Sequence, residues 1–404
     1  MKVTFLNHSS IRIELASGLG IICDPWFTSK AFNSSWELCV EVEPNLSNQT
    51  SSDLIFISHE HPDHLNFPTL RKWFSGNRIL IRNDLRHKIS KSLEGLGHTV
   101  QMVTSNQVIQ LNSNGDLIAI IASGIDSALY VREGESGFSI LNMNDAELSE
   151  DSLRSIRSSV GQINMVAGQF GLAGYSGFSI QEIQKNWEDK VARLTFAAKI
   201  LNAELVLPFA SFARFCRNSN SYLNTLQPTL AEVSVCLAEA KARIWVPLPN
   251  EQIDSDLLGS QSPLDGRFRL EFWDTFVRNH ARRNVSDDET SFEELMSALN
   301  AFYSRVASLS KSRSIEHPGI VVAARCMNQV FKFELGGNPV SLNVRSTAEA
   351  DFEVPSNDLA LAFKQSYGVD TLHVSGSARV FSQEKYSLFQ GIYRRLHAEL
   401  ESLE

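Results

Sequence analysis

Strand-like apolar runs alternate with turn signals through the first 125 residues, as at Ala16-Ser17-Gly18-Leu19-Gly20. Residues 53–57 (Asp-Leu-Ile-Phe-Ile) are β-branched and aromatic, the signature of a short buried strand. Ile79, Leu80 and Ile81 form a second buried run between Arg78 and Arg82, before a helix expected from about Asp84. Residues 117–121 and 139–143 repeat the pattern. Both runs end in small or polar residues, as strands that deliver side chains to a site do. The period then changes. Over 187–202, Val191, Leu194, Ala198 and Leu201 fall three and four apart on one helical face, with Lys190, Arg193 and Lys199 elsewhere. Leu205, Val206 and Leu207 return to strand, which Pro208 is expected to stop. This alternation predicts an α/β fold: a sandwich of two sheets covered by helices on both outer faces.

Asp, Ser, Gln and Gly dominate 251–266, which reads as a connector, and 291–309 has the pattern of an amphipathic helix. After His317-Pro318-Gly319 an α+β pattern follows. Residues 330–335 and 341–344 alternate as strands around a hairpin turn at Gly336-Gly337. Pro355 and Asp358 precede a helix, and 372–376 reads as strand. The expected organisation is a catalytic domain over 1–265, a helical connector over 266–315 and an α+β domain over 316–404.

A chain of 404 residues that is 43% hydrophobic buries a large core in more than one domain. Its net charge of −9, with no long Lys/Arg run, argues against a nucleic-acid partner, while a local basic pocket for a small anionic substrate is compatible with it. Cys23, Cys39, Cys216, Cys236 and Cys326 lack metal-type spacing and are expected as buried free thiols of a cytoplasmic protein. Met1-Lys2 leads directly into strand alternation, and no apolar run reaches the ~18 residues of a membrane span. No membrane partner is expected, and a homodimer is compatible with the C-terminal pattern.

The chemistry concentrates in Ser58-His59-Glu60-His61-Pro62-Asp63-His64. His59 and His61 leave an extended chain on the same side, and Pro62 forces a bend that turns Asp63 and His64 back towards them. A loop of this kind can hold one or two transition metals with nitrogen and oxygen donors. Arg214 and Arg217 are candidates to pair with a substrate phosphate or carboxylate, against the alternative of a solvated face. The glycines of 171–177 do not follow a strand into a helix, so no dinucleotide site is inferred.

His-x-His-x-Asp-His after an apolar strand resembles the metallo-β-lactamase superfamily, as do Asn7-His8-Ser9-Ser10 in an opening hairpin and Asp24-Pro25-Trp26 at a strand end. Within it, segments 57–70, 140–145, 168–178 and 207–212 resemble the catalytic portion of the CMP-N-acetylneuraminate hydroxylases, and the tail resembles a sterol-carrier-protein-2-like module. The resemblance implies an αββα sandwich with a C-terminal α+β domain. It implies His59 and His61 at one metal position, Asp63 and His64 at a second, and Asp145 bridging them, with Asp63 and Asp145 as catalytic groups. His8 is expected behind the ligands or in the core.

Two histidines usual in the superfamily are missing. Asp126 stands near the first position, as a substitute ligand or a turn residue, and Ser211, a candidate substrate contact with Arg214, stands at the second. Fewer imidazoles leave open coordination positions, which suits iron and oxygen as well as zinc and water. The sequence therefore supports a metalloenzyme with one or two divalent ions, iron before zinc or manganese. The leading expectation is an oxygenase acting on a small polar or anionic metabolite. The chain has no Cys-x-His paired with Cys-x-x-His for a Rieske cluster, so electrons would come from a separate donor protein or from the substrate. The alternatives are a hydrolase of an ester, lactone or phosphodiester, and a non-catalytic binding protein with a degenerate metal site.

Overall fold

The computed structural model describes all residues except 48, 51, 84–86, 174–175, 256–265, 278–285, 288–289, 310–318, 328, 334–339, 343–349 and 402–404. Two seven-stranded sheets face each other. The first has the order Gln252–Asp254, Lys2–Asn7, Ser10–Glu14, Gly20–Cys23, Leu54–Phe56, Arg78–Arg82, Thr99–Val103. The second has the order Arg243–Ile244, Leu205–Phe209, Met165–Gln169, Ser139–Asn142, Asp126–Arg132, Leu117–Ser123, Val108–Gln110.

Strand periodicity explains the layers. Leu54 and Phe56 point into the core between the sheets, where they meet residues such as Ile118, Leu129 and Ile140. Ile55 and Ile57 point the other way, into a second cluster with Leu70 and Leu93 from the helices Phe67–Trp73 and His87–Glu94. Leu153, Val191, Leu194 and Leu201, from Glu150–Val160 and Ile180–Leu201, pack onto the second sheet. The result is the expected αββα arrangement.

A five-stranded sheet follows, in the order Val340–Leu342, Gln329–Phe333, Ile320–Ala324, Phe352–Val354, Arg379–Val380. With the helices Phe292–Val306, Ser356–Lys364, Gly368–Val374 and Gln383–Glu401 it encloses its own core around Phe302, Phe333 and Phe389. The helix Arg267–Val277 instead inserts Trp273 into the core of the two large sheets. Among the described residues no helix is long and apolar enough to cross a membrane.

Several local expectations fail for physical reasons. Leu205–Phe209 runs through Pro208. The Val206 carbonyl faces Trp245, so Pro208, two residues on, turns its nitrogen to the same side, beyond the two residues that Arg243–Ile244 pairs. No ladder bond is lost. Within 251–266, Gln252–Asp254 is a polar edge strand on Lys2–Thr4, with only Ile253 of the three buried. Residues 372–374 close the helix Gly368–Val374 instead of forming a strand; so short an apolar run fits either period. Ile180–Leu201 begins seven residues before 187, at a capping box of Ser179 and Glu182. Lys190, placed away from its apolar face, is buried. Cys23, Cys39 and Cys216 are buried free thiols, but Cys236 is exposed. The expected turn at Gly336-Gly337 and the helix start at Asp84 lie outside the described residues.

A buried ion pair sets the entry to the central strand. Asp53 is fully buried and accepts from Arg12 Nε and Nη2 at 3.3 and 3.2 Å, from Thr50 Oγ1 at 2.9 Å and from Gly20 N at 3.3 Å. A Cβ on Gly20 would stand 2.4 Å from Asp53 Oδ2, so only glycine permits this approach. Asp53→Ala removes the fully buried carboxylate from the Arg12 guanidinium and leaves it beside the partly exposed Glu14. It is expected to cost about 3 kcal/mol, read as a lowered urea midpoint.

Candidate metal centre

Two parallel strands end side by side. Cys23 pairs with Phe56, and Asp24 N donates to Phe56 O at 2.9 Å. Asp24 then takes a left-handed backbone (φ 40), uncommon outside glycine, which folds its carboxylate back over the neighbouring strand end. Asp24 Oδ1 accepts from Ser58 N at 2.8 Å, and Oδ2 from Ser58 Oγ at 2.6 Å; Oδ2 also lies 2.9 Å from His64 Nδ1. The far side of the loop is tied to a helix. Asn66 caps Phe67–Trp73 by accepting from Thr69 N at 3.0 Å and donates to Pro62 O at 3.0 Å. The histidine loop is thus clamped at both ends before any ligand binds.

Within it, His59 and His64 are fully buried and Asp63 nearly so. His59 Nε2 lies 2.9 Å from His61 Nδ1, and His59 Nδ1 lies 3.6 Å from Asp126 Oδ1. His64 Nε2 stands 3.6 Å from Asp63 Oδ2 and 3.5 Å from Asp145 Oδ2. Asp145 is held by its own backbone carbonyl, which accepts from Gln169 Nε2 at 2.9 Å. It does not cap a helix, since Glu150–Val160 is capped by Ser149.

The structure brings together all the sequence-derived candidates of the loop, with Asp126 and Asp145, and adds His8. His8 Nε2 lies 3.3 Å from Asp63 Oδ2. Two compact donor groups result, His8/Asp63/His64 and His59/His64/Asp145, each with its ligand atoms within 4.8 Å of one another. His61 belongs to neither triad but lines the adjoining cavity with Asp126.

The donors fit a divalent cation on physical grounds. His64 Nε2, Asp63 Oδ1, Asp145 Oδ1 and His8 Nδ1 are buried without any hydrogen-bond partner. Such atoms cost about 1–3 kcal/mol each when left unsatisfied, and those of His64, Asp63 and Asp145 belong to side chains of the two donor groups, where a cation would satisfy them. Burial lowers His59, assisted by His64 and His61. Burial also opposes charge on His64, but Asp63, Asp145 and Asp24 outweigh it and hold His64 well above its ordinary value. Burial alone would raise Asp63 and Asp145; His64 instead keeps both below the usual carboxylate range. Burial, then Asp145, pushes Asp126 up to about 7. In the protein alone, a proton on His64 sits where a cation belongs.

A cavity of about 220 Å³ opens beside the cluster, lined by Phe32, His61, Asp126, Asp145, Lys190 and Val374 among others. Ser211 borders a neighbouring cleft with Asp63 and Asp145. Its Oγ already accepts from Phe170 N and Gly171 N at 3.0 and 2.8 Å and so staples two loops. Arg214 borders the same cleft. Neither arginine lies on a solvated face: Arg214 is buried against Glu37 at 2.9 Å, and Arg217 against Asp358 at 2.9 Å. Asp24 and Lys190 were missed. The signal for Asp24 was its place directly after a buried strand; Lys190 had none, sitting beside the apolar Val191 on a helix whose neighbours are not visible in sequence.

A model of the beta-lactamase superfamily domain matches residues 2–148. A cytidine monophosphate-N-acetylneuraminic acid hydroxylase of Pongo pygmaeus is 37% identical over 325 residues, 74% of this chain and 53% of that protein. The hydroxylase of Asterias rubens is 41% identical over 71 residues, 17% of this chain and 11% of that protein. Where the match is long, the chain spans about half the length of the relative. A metallo-beta-lactamase fold protein of Bacillus subtilis covers 63% of this chain and 99% of its own at 10% identity and a TM-score of 0.42, too slight a likeness to bear on function.

Metal binding is expected to release a proton. A histidine whose folded value is raised stabilises the protein fully below its unfolded value of about 6.5, and that contribution is lost as pH rises through the raised folded value. Adding zinc to metal-free protein near neutral pH should therefore acidify a weakly buffered solution, and affinity should rise with pH. Asp24→Ala should weaken metal binding about 10–100-fold while the far-ultraviolet spectrum stays native.

Proposed function

We propose that the chain, whose residues 2–148 match a beta-lactamase superfamily domain, is a metal-dependent oxygenase of the hydroxylase type. The observation that carries this reading is the donor set. Three carboxylates, Asp63, Asp126 and Asp145, cluster with His59, His61, His64 and His8, and these carboxylates and His61 line a cavity. Mixed imidazole and carboxylate ligation with a free side suits non-haem iron. The hydroxylases named among the relatives point the same way.

In this reading His59, His61, Asp63, His64, Asp145 and Asp126 hold one or two ions, with His8 beside Asp63. Bound iron would supply dioxygen activation. The protein's own part is positioning: Asp24 fixes the ring plane of His64, and Gln169 fixes Asp145. Asp126, pushed up to about 7 by its surroundings, ionises once a cation is near. Lys190, buried on Ile180–Leu201, puts a positive charge on the cavity wall, which suits a small polar or anionic substrate. Electrons come from a separate donor or from the substrate.

Hydrolysis of an ester, lactone or phosphodiester is the second reading. It is favoured by the superfamily match, which spans the whole histidine loop. Protein purified without oxygen and analysed for metal separates the two. The oxygenase reading expects iron, and oxygen uptake with reductant and substrate. Zinc occupancy with hydrolysis indifferent to oxygen overturns it. Asp145→Asn should lower turnover at least about 100-fold under either reading, whereas a non-catalytic binding protein would be unaffected.

A further inference from the structure

One wall of the metal cavity belongs to the C-terminal fold. Val374, at the end of Gly368–Val374, lines the same space as His61, Asp63, Asp126 and Asp145. Phe32 and Trp36 line it too, with ring centroids 4.6 Å apart, and the Phe32 ring lies 5.7 Å from that of His61.

The segment that presents Phe32 is strained. Phe32, Asn33 and Ser34 have φ of 49, 54 and 63 in succession. Asparagine tolerates the left-handed region, but phenylalanine is an outlier there, so the turn survives only where its surroundings dictate it. Those surroundings reach across to the C-terminal fold. The Arg217 guanidinium donates to Asn33 O, and Cys216 N donates to Ser35 O at 3.0 Å. Asn33 Nδ2 donates to Asp358 Oδ1 at 2.6 Å, and Arg217 Nη1 to the same oxygen at 2.9 Å. Ser377 Oγ donates to Asp358 Oδ2 at 2.6 Å. Asn220 Nδ2 bridges the Ser35 and Ser375 carbonyls at 3.1 and 2.8 Å. Ser176 makes a second tie, donating through N to His373 O at 2.9 Å and accepting from Ala378 N at 3.2 Å. Arg217, Asp358, Asn220 and Ser176 are all buried. A largely buried polar network that bonds both sides of a seam favours one geometry, whereas loosely docked domains meet through contacts that permit motion.

We propose that the C-terminal fold is a working part of the metal site: Asp358 is a positioning residue that holds the Phe32–Ser34 turn over the cavity, and Val374 sets the size of the group admitted beside the metal. Within the small polar or anionic substrates read above, this selects those whose metal-directed polar head carries a compact, ring-sized body that lies against Phe32, Trp36, Ile125 and Val374. This rests on the metal centre read above.

The test uses cobalt-substituted full-length protein and two probes followed in the visible spectrum, azide as a small anion and thiophenol as an aromatic thiolate. Val374→Trp should weaken thiophenol at least about tenfold and leave azide unchanged, because one misplaced bulky group in a pocket commonly costs that much. Val374→Ala should not weaken either probe. Asp358→Asn keeps the oxygen that accepts from Asn33 but loses the charge facing Arg217; it should bind cobalt normally and weaken thiophenol relative to azide. A merely structural aspartate would change the melting temperature and leave that ratio alone. If Asp358→Asn does not fold, the Val374 pair decides. Thiophenol binding indifferent to Val374→Trp overturns the inference while leaving the metal centre standing. Wild-type protein that takes up no cobalt overturns both.

Discussion

The carboxylate of Asp24 ties the scaffold to the chemistry. It is fully buried and engages the Ser58 amide, the Ser58 hydroxyl and His64 at once. Through Ser58 it joins two parallel strand ends, and through His64 it fixes the one imidazole that both donor groups share. A buried carboxylate is tolerable only when such partners satisfy it. The cost of burying Asp24 and the orientation of His64 therefore have a common solution, and the left-handed backbone at Asp24 is the local strain that reaches it.

Much of the αββα architecture was legible because its strands are buried on both faces or alternate cleanly. Leu54 to Ile57 send successive side chains into two different cores, and an uninterrupted apolar run is the sequence trace of that arrangement. The histidine loop was legible because its donors are adjacent in sequence. What escaped depends on distant neighbours. Lys190 reads as solvent-facing from its own helix, yet Gly171 O lies 3.2 Å from its Nζ and the cavity runs beside it. Pro208 reads as a strand end, yet the adjoining strand has already stopped. His8 is one histidine in a hairpin until the fold carries it to Asp63.

Arg214 and Arg217 show the same limit in charge. Their sequence context offered a substrate or solvent, and the protein offers buried carboxylates instead, Glu37 and Asp358. Breaking one partner of such a pair leaves an uncompensated charge and costs several kcal/mol, although the pair adds little over a well-packed apolar substitute. Buried pairs of this kind are therefore better understood as setting geometry than as supplying stability. Glu37 and Asp358 both face the segment around Phe32 and Trp36, so the two arginines register that segment against the rest of the fold.

The excess of negative charge at the site then bears directly on its chemistry. Asp63, Asp145, Asp126 and Asp24 gather around the buried His59 and His64; burial lowers His59, while Asp63, Asp145 and Asp24 outweigh burial and raise His64. Burial first, and then the neighbouring charge of Asp145, push Asp126 up to about 7. A bound divalent ion would supply the opposing positive charge: His64 would hold it as a neutral imidazole, Asp63 and Asp145 would turn their orphaned oxygens to it, and Asp126 would ionise beside it. That unmet demand for positive charge, together with the buried oxygens of Asp63 and Asp145 that lack partners, is the physical ground for reading the cluster as a metal site.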